Sequence, residues 1–330
     1  MSFSDTAMVF HEIAVEPTVI RTWRDFQCIW RLAGFGKGRL IANFPKKGRD
    51  LSEKDQGWAW RVLESVKAND IGKAKRVQER LIADAKFKML RSARVYDHDT
   101  DWVSNARIEH RRSPFSAMIV DGEIKCGHEC GIDDLEDDHS PVCLRDDQHM
   151  AVLPKHPKEF ADALLPMLSC ARELRFIDAY YLKATESVAS ARFSVKHAKV
   201  VGEIARRMNE LNRVPKTVEF HMVGIGDDSS GLLSLFANGM EAYLPTTWKA
   251  TAYLWKEKLG GRSFHARYVL TDVGGVGSDY GLDQGNSPGD QTDLYLLTEL
   301  RLAQLVDDFA VSGGAFNLAA GPLEFVGIRG

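Results

Sequence analysis

Residues 261–285 read GRSFHARYVLTDVGGVGSDYGLDQG, and no other stretch constrains the fold of this chain as tightly. The alternation through Phe264, Ala266, Tyr268 and Leu270 predicts a β-strand with those four side chains on the core face. His265 and Arg267 then share the opposite face. The glycines that follow call for a tight turn soon after Asp272. An imidazole beside a guanidinium fork is chemistry suited to a phosphate. The ring attacks or moves a proton while the fork holds oxygens.

His265-x-Arg267, followed after four residues by Asp272, resembles the His-x-Lys motif and its later Asp in the phospholipase D superfamily. The resemblance implies His265 as the nucleophile on phosphorus, Arg267 as the phosphate binder and Asp272 as the orienting acid. Two positions depart from the family. Arg267 replaces a Lys, which keeps the charge and changes its geometry. The Gly-Ser step that follows the Asp stands two residues early as Gly277-Ser278, while Gly281-Leu282-Asp283 stands two late. Ser278, Gly281 and Asp283 are accordingly expected to bind phosphate or to support the residues that do. The pattern is closer to divergent phospholipase D-like domains, some of which bind phosphates without cleaving them.

A second segment, LRFIDAYYL at 174–182, is expected to be a strand ending in an acidic–aromatic step. The first strand of phospholipase D-like folds often ends similarly, beside the phosphate pocket. This adds Asp178 and Tyr180 as candidates, although Asp178 fits equally well as a cap for a following helix. His197-Ala198-Lys199 imitates the start of the motif, but Ile204 occupies the place of the Asp. Its setting is a run of helix formers at 184–212, so a helical, non-functional role is expected.

The 330 residues, 44% of them apolar, suffice for about two domains with buried cores. A net charge of −3 argues against a wholesale polyanion binder. No apolar run approaches the roughly 18 residues of a membrane span, and the first residues lack the pattern of a signal peptide. Five cysteines are sparse and odd in number, which fits a reducing cytoplasm.

Charge is unevenly distributed. Residues 37–94 carry 16 Lys/Arg against 7 Asp/Glu, whereas residues 121–147 carry 2 against 10. The basic stretch reads either as a nucleic-acid footprint or as solvated helix faces balanced by the acidic segment. Trp23, Phe26 and Trp30 at near-helical spacing predict the core face of a helix at 22–33. The alternating Gly34, Gly36 and Gly38 have neither the spacing nor the context of a nucleotide-binding loop, so they predict a turn into a strand at 39–44. Ser52 and Asp55 resemble a capping box. Asp121-Gly122 predicts a hairpin after a strand at 115–120. Cys126, Cys130, His139 and Cys143 approach a zinc-ligand framework, but Cys126, His128 and Cys130 also fit alternate positions of a hairpin strand.

The expected fold is α/β throughout. A smaller N-terminal α/β domain over 1–155 precedes a phospholipase D-like mixed sheet flanked by helices over 156–330. Trp248 and Trp255 are assigned to helical stretches before the motif strand. The resemblance implies a metal-independent phosphodiesterase, most simply a nuclease, with no cofactor beyond a structural zinc. A single motif implies a homodimer that supplies the second copy. The alternative is a phosphate- or nucleic-acid-binding or scaffold subunit, with the acidic segment as a docking surface for protein partners. The segments EPTVIRTWRDF and GFGKGRLIANFPK also resemble bacterial proteins of mobile or anti-phage defence regions.

Overall fold

The computed structural model describes residues 9–46, 57–91, 94–135, 137–138, 140–145, 150–183, 190–224, 229–265, 267–312 and 314–329. The fold is mixed α/β, with a parallel sheet in one compact unit and a large mixed sheet flanked by helices in the other. The first unit is Phe10–His149, and the second is Met150–Gly330 together with Met1–Val9. The division falls ahead of the prolines at 154 and 157, because the strand that ends at Pro154 pairs within the second unit.

In the first unit, β1 (His11–Val15) leads to α1 (Trp23–Leu32), β2 (Arg39–Ala42), α2 (Trp58–Asn69), α3 (Ile71–Lys88) and β3 (Met89–Leu90). Then come α4 (Trp102–Arg112), β4 (Ala117–Ile119), β5 (Glu129–Cys130) and α5 (Val142–Arg145). The strand order is β3-β2-β1-β4-β5, with every pairing parallel. A parallel sheet buries both faces, and β1 shows it. Ile13 and Val15 join a cluster with Phe26, Trp30, Trp58 and Val62, while Ala14 joins Phe44, Trp102 and Phe115 on the other side.

Helix α1 starts where Thr22 accepts the Asp25 N–H at 3.2 Å and its own N–H reaches the Asp25 carboxylate at 2.7 Å. This reciprocal pair satisfies two otherwise orphaned donors. Trp23, Phe26 and Trp30 stack along the helix as the spacing implied, Trp23 remaining partly exposed. The capping box at Ser52 lies outside the described residues. The hairpin expected at Asp121-Gly122 does not form. Met118 donates to the His128 carbonyl and Val120 to that of Cys130, so β5 runs parallel to β4 and the intervening chain crosses over.

The second unit begins with β6 (Met150–Pro154), α6 (Pro157–Cys170), β7 (Glu173–Asp178), β8 (Leu182–Lys183), β9 (Arg192–Phe193) and α7 (Val195–Glu210). It continues through β10 (Thr217–Val223), α8 (Ser229–Met240), β11 (Lys249–Lys256), β12 (Arg267–Thr271), β13 (Gly275–Ser278) and β14 (Gln291–Leu296). Helix α9 (Glu299–Asp308) and β15 (Asn317–Val326) complete it. The eight-stranded order is β15-β11-β10-β7-β12-β13-β14-β6. Strands β7, β10 and β11 are parallel, and the other pairings are antiparallel.

Trp255 lies in a strand, contrary to the helical expectation, and Trp248 immediately precedes it. Burial along β11 alternates, with Ala250, Ala252 and Leu254 on one face and Thr251, Tyr253 and Trp255 on the other. Helix α7 is also shorter than expected, because strand β9 falls within its predicted span. One sheet face presents Phe176 and Phe220, with Phe236 of α8 packed at 5.2 Å from Phe220. The other buries Ile177, Trp255, Tyr268 and Leu270 against Leu305, Phe309 and Phe316. Both sides of β12 are therefore covered, and Val269 is as buried as its neighbours.

Candidate functional site

Register places a polar row across one end of the large sheet. Asp178 ends β7 and pairs with Arg267 at the start of β12. The pairings Val269 with Val276 and Ser278 with Leu294 put Asp178, Arg267, Ser278 and Thr292 on one face. The row occupies the carboxyl end of β7. In open α/β sheets ligands bind outside the carboxyl ends of strands.

Asp178 is fully buried. Its carboxylate accepts the Tyr180 N–H at 2.8 Å and the Leu282 N–H at 3.5 Å, and lies 3.3 Å from His197 Nε2. A buried carboxylate persists only when donors replace its water, and these three do so. His197 belongs to the first turn of α7 and is also buried. Its Nδ1 lies 2.7 Å from the hydroxyl of Ser194, the residue before the helix. With Nε2–H donated to Asp178, Nδ1 accepts and the Ser194 hydroxyl donates. The line Ser194–His197–Asp178 thus ties the start of α7 to the end of β7. Burial pushes the neighbouring Tyr181 hydroxyl well above its ordinary pKa, and the Asp178 charge adds to this.

The turn after β13 closes over the row. The Ser278 hydroxyl donates to the Gly281 carbonyl at 3.1 Å and lies 2.9 Å from the Thr292 hydroxyl. Gly277 is required because a Cβ there would meet the Tyr295 ring at 2.3 Å. Gly281 is required because its φ is +96°. Asp283 pairs with Lys155 at 2.5 Å, and Lys155 also donates to the Tyr280 carbonyl at 2.7 Å. Ser278, Gly281 and Asp283 therefore shape the turn that flanks Arg267.

Arg267 is partly buried. Its Nη1 donates to the Asp279 carbonyl at 2.5 Å, and its guanidinium lies 4.9 Å from the Tyr180 ring centroid. Nε is buried without a hydrogen-bond partner. Tyr180 is itself largely exposed. The fork is thus braced on one side by a carbonyl and on another by an aromatic face, with its buried Nε–H left over.

His265 is exposed and precedes the strand, which begins at Arg267, while Ala266 lies outside the described residues. The Phe264 N–H and then the Ser263 hydroxyl hold the Glu257 carboxyl below its usual range, and His265 contributes a smaller share. Asp272 is separated from this group. Its carboxylate accepts the Arg172 N–H at 2.8 Å and the Glu173 N–H at 3.3 Å, at the amino end of β7. Five strand residues at ~3.3 Å each put it about 17 Å from Arg267. In this geometry Asp272 caps the opposite end of the sheet and does not orient His265 or Arg267.

Sequence reasoning placed His197 in a helix, where it lies, but missed its tie to Ser194 and Asp178. The signal was a Ser-x-x-His step at a helix start, the spacing at which a side chain before the helix meets the first turn. Among the zinc candidates, Cys126 is exposed, Cys130 and Cys143 are buried, and His139 lies outside the described residues. Burial pushes the Cys130 thiol up to about 12 and that of Cys143 to about 11. Among the described residues no three His, Cys, Asp or Glu side chains are grouped to hold a metal. None of the described helices is long and apolar enough to cross a membrane. Neither the protein-family models nor the curated proteins searched give a match to this chain.

Proposed function

We propose that the start of β12 is a phosphodiester site, and that the protein is a metal-independent phosphodiesterase acting on nucleic acid. The observation that carries this reading is Arg267. Its fork is braced by the Asp279 carbonyl and the Tyr180 ring, retains an unpartnered Nε, and lies two residues from the exposed His265. An arginine so held suits the equatorial oxygens of a phosphate in transfer.

In this mechanism a ring nitrogen of His265 attacks phosphorus. A P–N bond forms, the P–O bond to one strand breaks, and a second imidazolium protonates the leaving oxygen. That imidazole then takes a proton from water, whose oxygen attacks phosphorus, breaks the P–N bond and frees His265. His197 is not suited to the second role, since both its nitrogens are engaged in the buried line to Asp178. The second imidazole is therefore His265 of the partner subunit across a two-fold axis, in a homodimer. Resemblance of the opening segments alone suggests a bacterial defence setting.

The test is cleavage of labelled single-stranded DNA, duplex DNA and RNA in excess EDTA, with wild type beside His265→Ala. Cleavage by wild type alone supports the assignment. Retained cleavage by folded His265→Ala removes His265 as nucleophile, and a monomer by light scattering at micromolar concentration removes the two-subunit mechanism.

A second reading is favoured by the engagement of His197 and the exposure of His265: the site binds phosphate groups without cleaving them. It predicts no cleavage, nucleic-acid binding that depends on Arg267, and indifference to His265→Ala.

A further inference from the structure

The first unit holds a cavity of about 580 Å³ whose described lining includes Arg24, Arg31, Lys37, Arg39 and Arg145 and no acidic side chain. Helical spacing explains one wall. Arg24, Gln27, Cys28 and Arg31 fall at i, i+3, i+4 and i+7 of α1, opposite the buried Phe26, Ile29 and Trp30. The turn that follows α1, with Gly34, Gly36 and Gly38, brings in Lys37 and then Arg39 at the start of β2. Arg145 comes from α5.

Cations on an exposed helix face are usually solvated and balanced along the helix. Here that explanation fails on the pairing. Elsewhere in the protein, Arg80 meets Asp84 one turn on, and Arg206 meets Glu203 and Glu210. Around Arg24 the positions three and four away are Ile20, Arg21, Gln27 and Cys28, and around Arg31 they are Gln27, Cys28, Gly34 and Phe35. The side chains of Arg24, Arg31 and Lys37 make no ion pair or hydrogen bond among the described residues.

Arg39 is almost wholly buried and differs from these three. Its Nε donates to the Leu32 carbonyl at 3.1 Å, and Nη1 donates to the Cys143 and Leu144 carbonyls at 3.3 Å. It joins the three chain segments around the cavity. Like charges gathered in a concavity repel one another and focus a positive potential, which an anion relieves. Four of the five cations are arginines, whose forks match phosphate oxygens two at a time. Leu32, Leu135 and Leu144 add an apolar part to the lining. The volume falls within the ~300–1,000 Å³ usual for small-molecule sites.

We propose that this cavity binds a phosphorylated ligand of nucleotide size, held through its phosphates by Arg24, Arg31, Lys37 and Arg145 while Leu32, Leu135 and Leu144 take the uncharged part. A free nucleotide and the 5′-phosphorylated end of a nucleic-acid strand offer the same chemistry.

Isothermal titration calorimetry on the full chain tests this with ATP, AMP, adenosine, and one short DNA strand with and without a 5′-phosphate. At least one phosphate-bearing probe is expected to bind while adenosine and the 5′-hydroxyl strand bind far more weakly. Arg31→Glu and, separately, Arg24→Glu are expected to weaken binding by about tenfold or more, as loss of a charge-assisted contact implies. Both side chains are exposed, so the fold tolerates the changes, which circular dichroism checks. Arg76→Glu, on the exposed side of α3, should leave binding unchanged, and the two strand probes are compared in an Arg267→Ala background so that the second unit's site does not contribute. ATP binding without strand-end preference identifies a free nucleotide, and the converse identifies a strand end. The proposal is overturned if no phosphate-bearing probe binds at millimolar concentration. It is also overturned if Arg31→Glu weakens binding no more than Arg76→Glu, or if adenosine binds as well as ATP.

Discussion

His197 and His221 serve opposite faces of one sheet, and each is nearly buried with both ring nitrogens engaged. His197 sits between a hydroxyl and Asp178. His221 accepts the Trp255 indole N–H at 3.0 Å on Nδ1, and its Nε2 lies 3.3 Å from Glu219. Glu219 in turn pairs with Arg175 across β7 and β10 at 2.7 Å. By residue type alone the two arrangements look alike, each an imidazole on a carboxylate. Their surroundings differ. Tyr253 and Trp255 stack beside His221 and Phe309 abuts it, so that network ends in packed aromatics. The carboxylate of the His197 line is opposite Arg267, which has an unused donor and exposed neighbours. A histidine–carboxylate pair therefore does not mark a site. What marks one is a charged group at the end of the line with something left to bind.

The sharpest way to break this comparison is Asp178→Ala. The change leaves the Tyr180 and Leu282 N–H groups and His197 without their acceptor in a dry setting. Removing one partner of a buried pair costs about 3–5 kcal/mol, a large share of a domain's stability. Urea unfolding of the variant should show a loss of that size. A loss under about 1 kcal/mol would mean that water reaches Asp178.

His221 sharpens the comparison through pH. Burial lowers its pKa below the ordinary 6.5, against the opposing pull of Glu219. The unfolded chain then takes up a proton near 6.5 that the folded protein refuses. Stability is full above that value and declines as pH falls from it towards the folded pKa. Burial pushes the Glu219 carboxyl up, but His221 and Arg175 outweigh it and leave the group low, so it remains ionised over the window above about pH 5. His221→Phe should cost about 1–2 kcal/mol at neutral pH, from the lost bonds to Trp255 and Glu219. Its stability should also fall less than that of wild type between about pH 7 and 5. Parallel pH curves for the two proteins would show that His221 is not the group that resists the proton.

The elements that were legible in the sequence carry a strong local period. The strand expected at 39–44 forms at Arg39–Ala42, and α1, expected at 22–33, runs Trp23–Leu32, one residue shorter at each end. Strand β11 was hidden because its Trp255 and the nearby Trp248 suit a helix as well, although Thr251, Tyr253 and Trp255 already alternate. The parallel pairing of β5 was hidden because a turn dipeptide reports a local reversal, whereas parallel pairing is decided by distant strands. Arg267 was legible from its spacing and Asp178 from its strand end. His197 was not, because its partner lies nineteen residues earlier and only the fold brings the two together.

The smallest structural effect is expected where the functional effect is expected to be largest. His265 is exposed and makes no hydrogen bond among the described residues, so His265→Ala should change stability by no more than about 0.5 kcal/mol. Arg267→Ala gives up the contact with Tyr180 and the bond to the Asp279 carbonyl, and should cost about 1 kcal/mol. Thermal melts of the two variants rank these costs. Binding of a labelled oligonucleotide in EDTA separates their roles: Arg267→Ala should bind weakly, and His265→Ala should bind as wild type does without turning over. If His265→Ala instead melts several degrees lower, the imidazole packs against the fold, and its part in the chemistry must be read from a change that keeps the ring's volume, His265→Asn or His265→Gln. If Arg267→Ala binds as tightly as wild type, the row at the end of β7 is structural after all. The contrast with His221 then disappears, because both imidazoles would belong to closed networks.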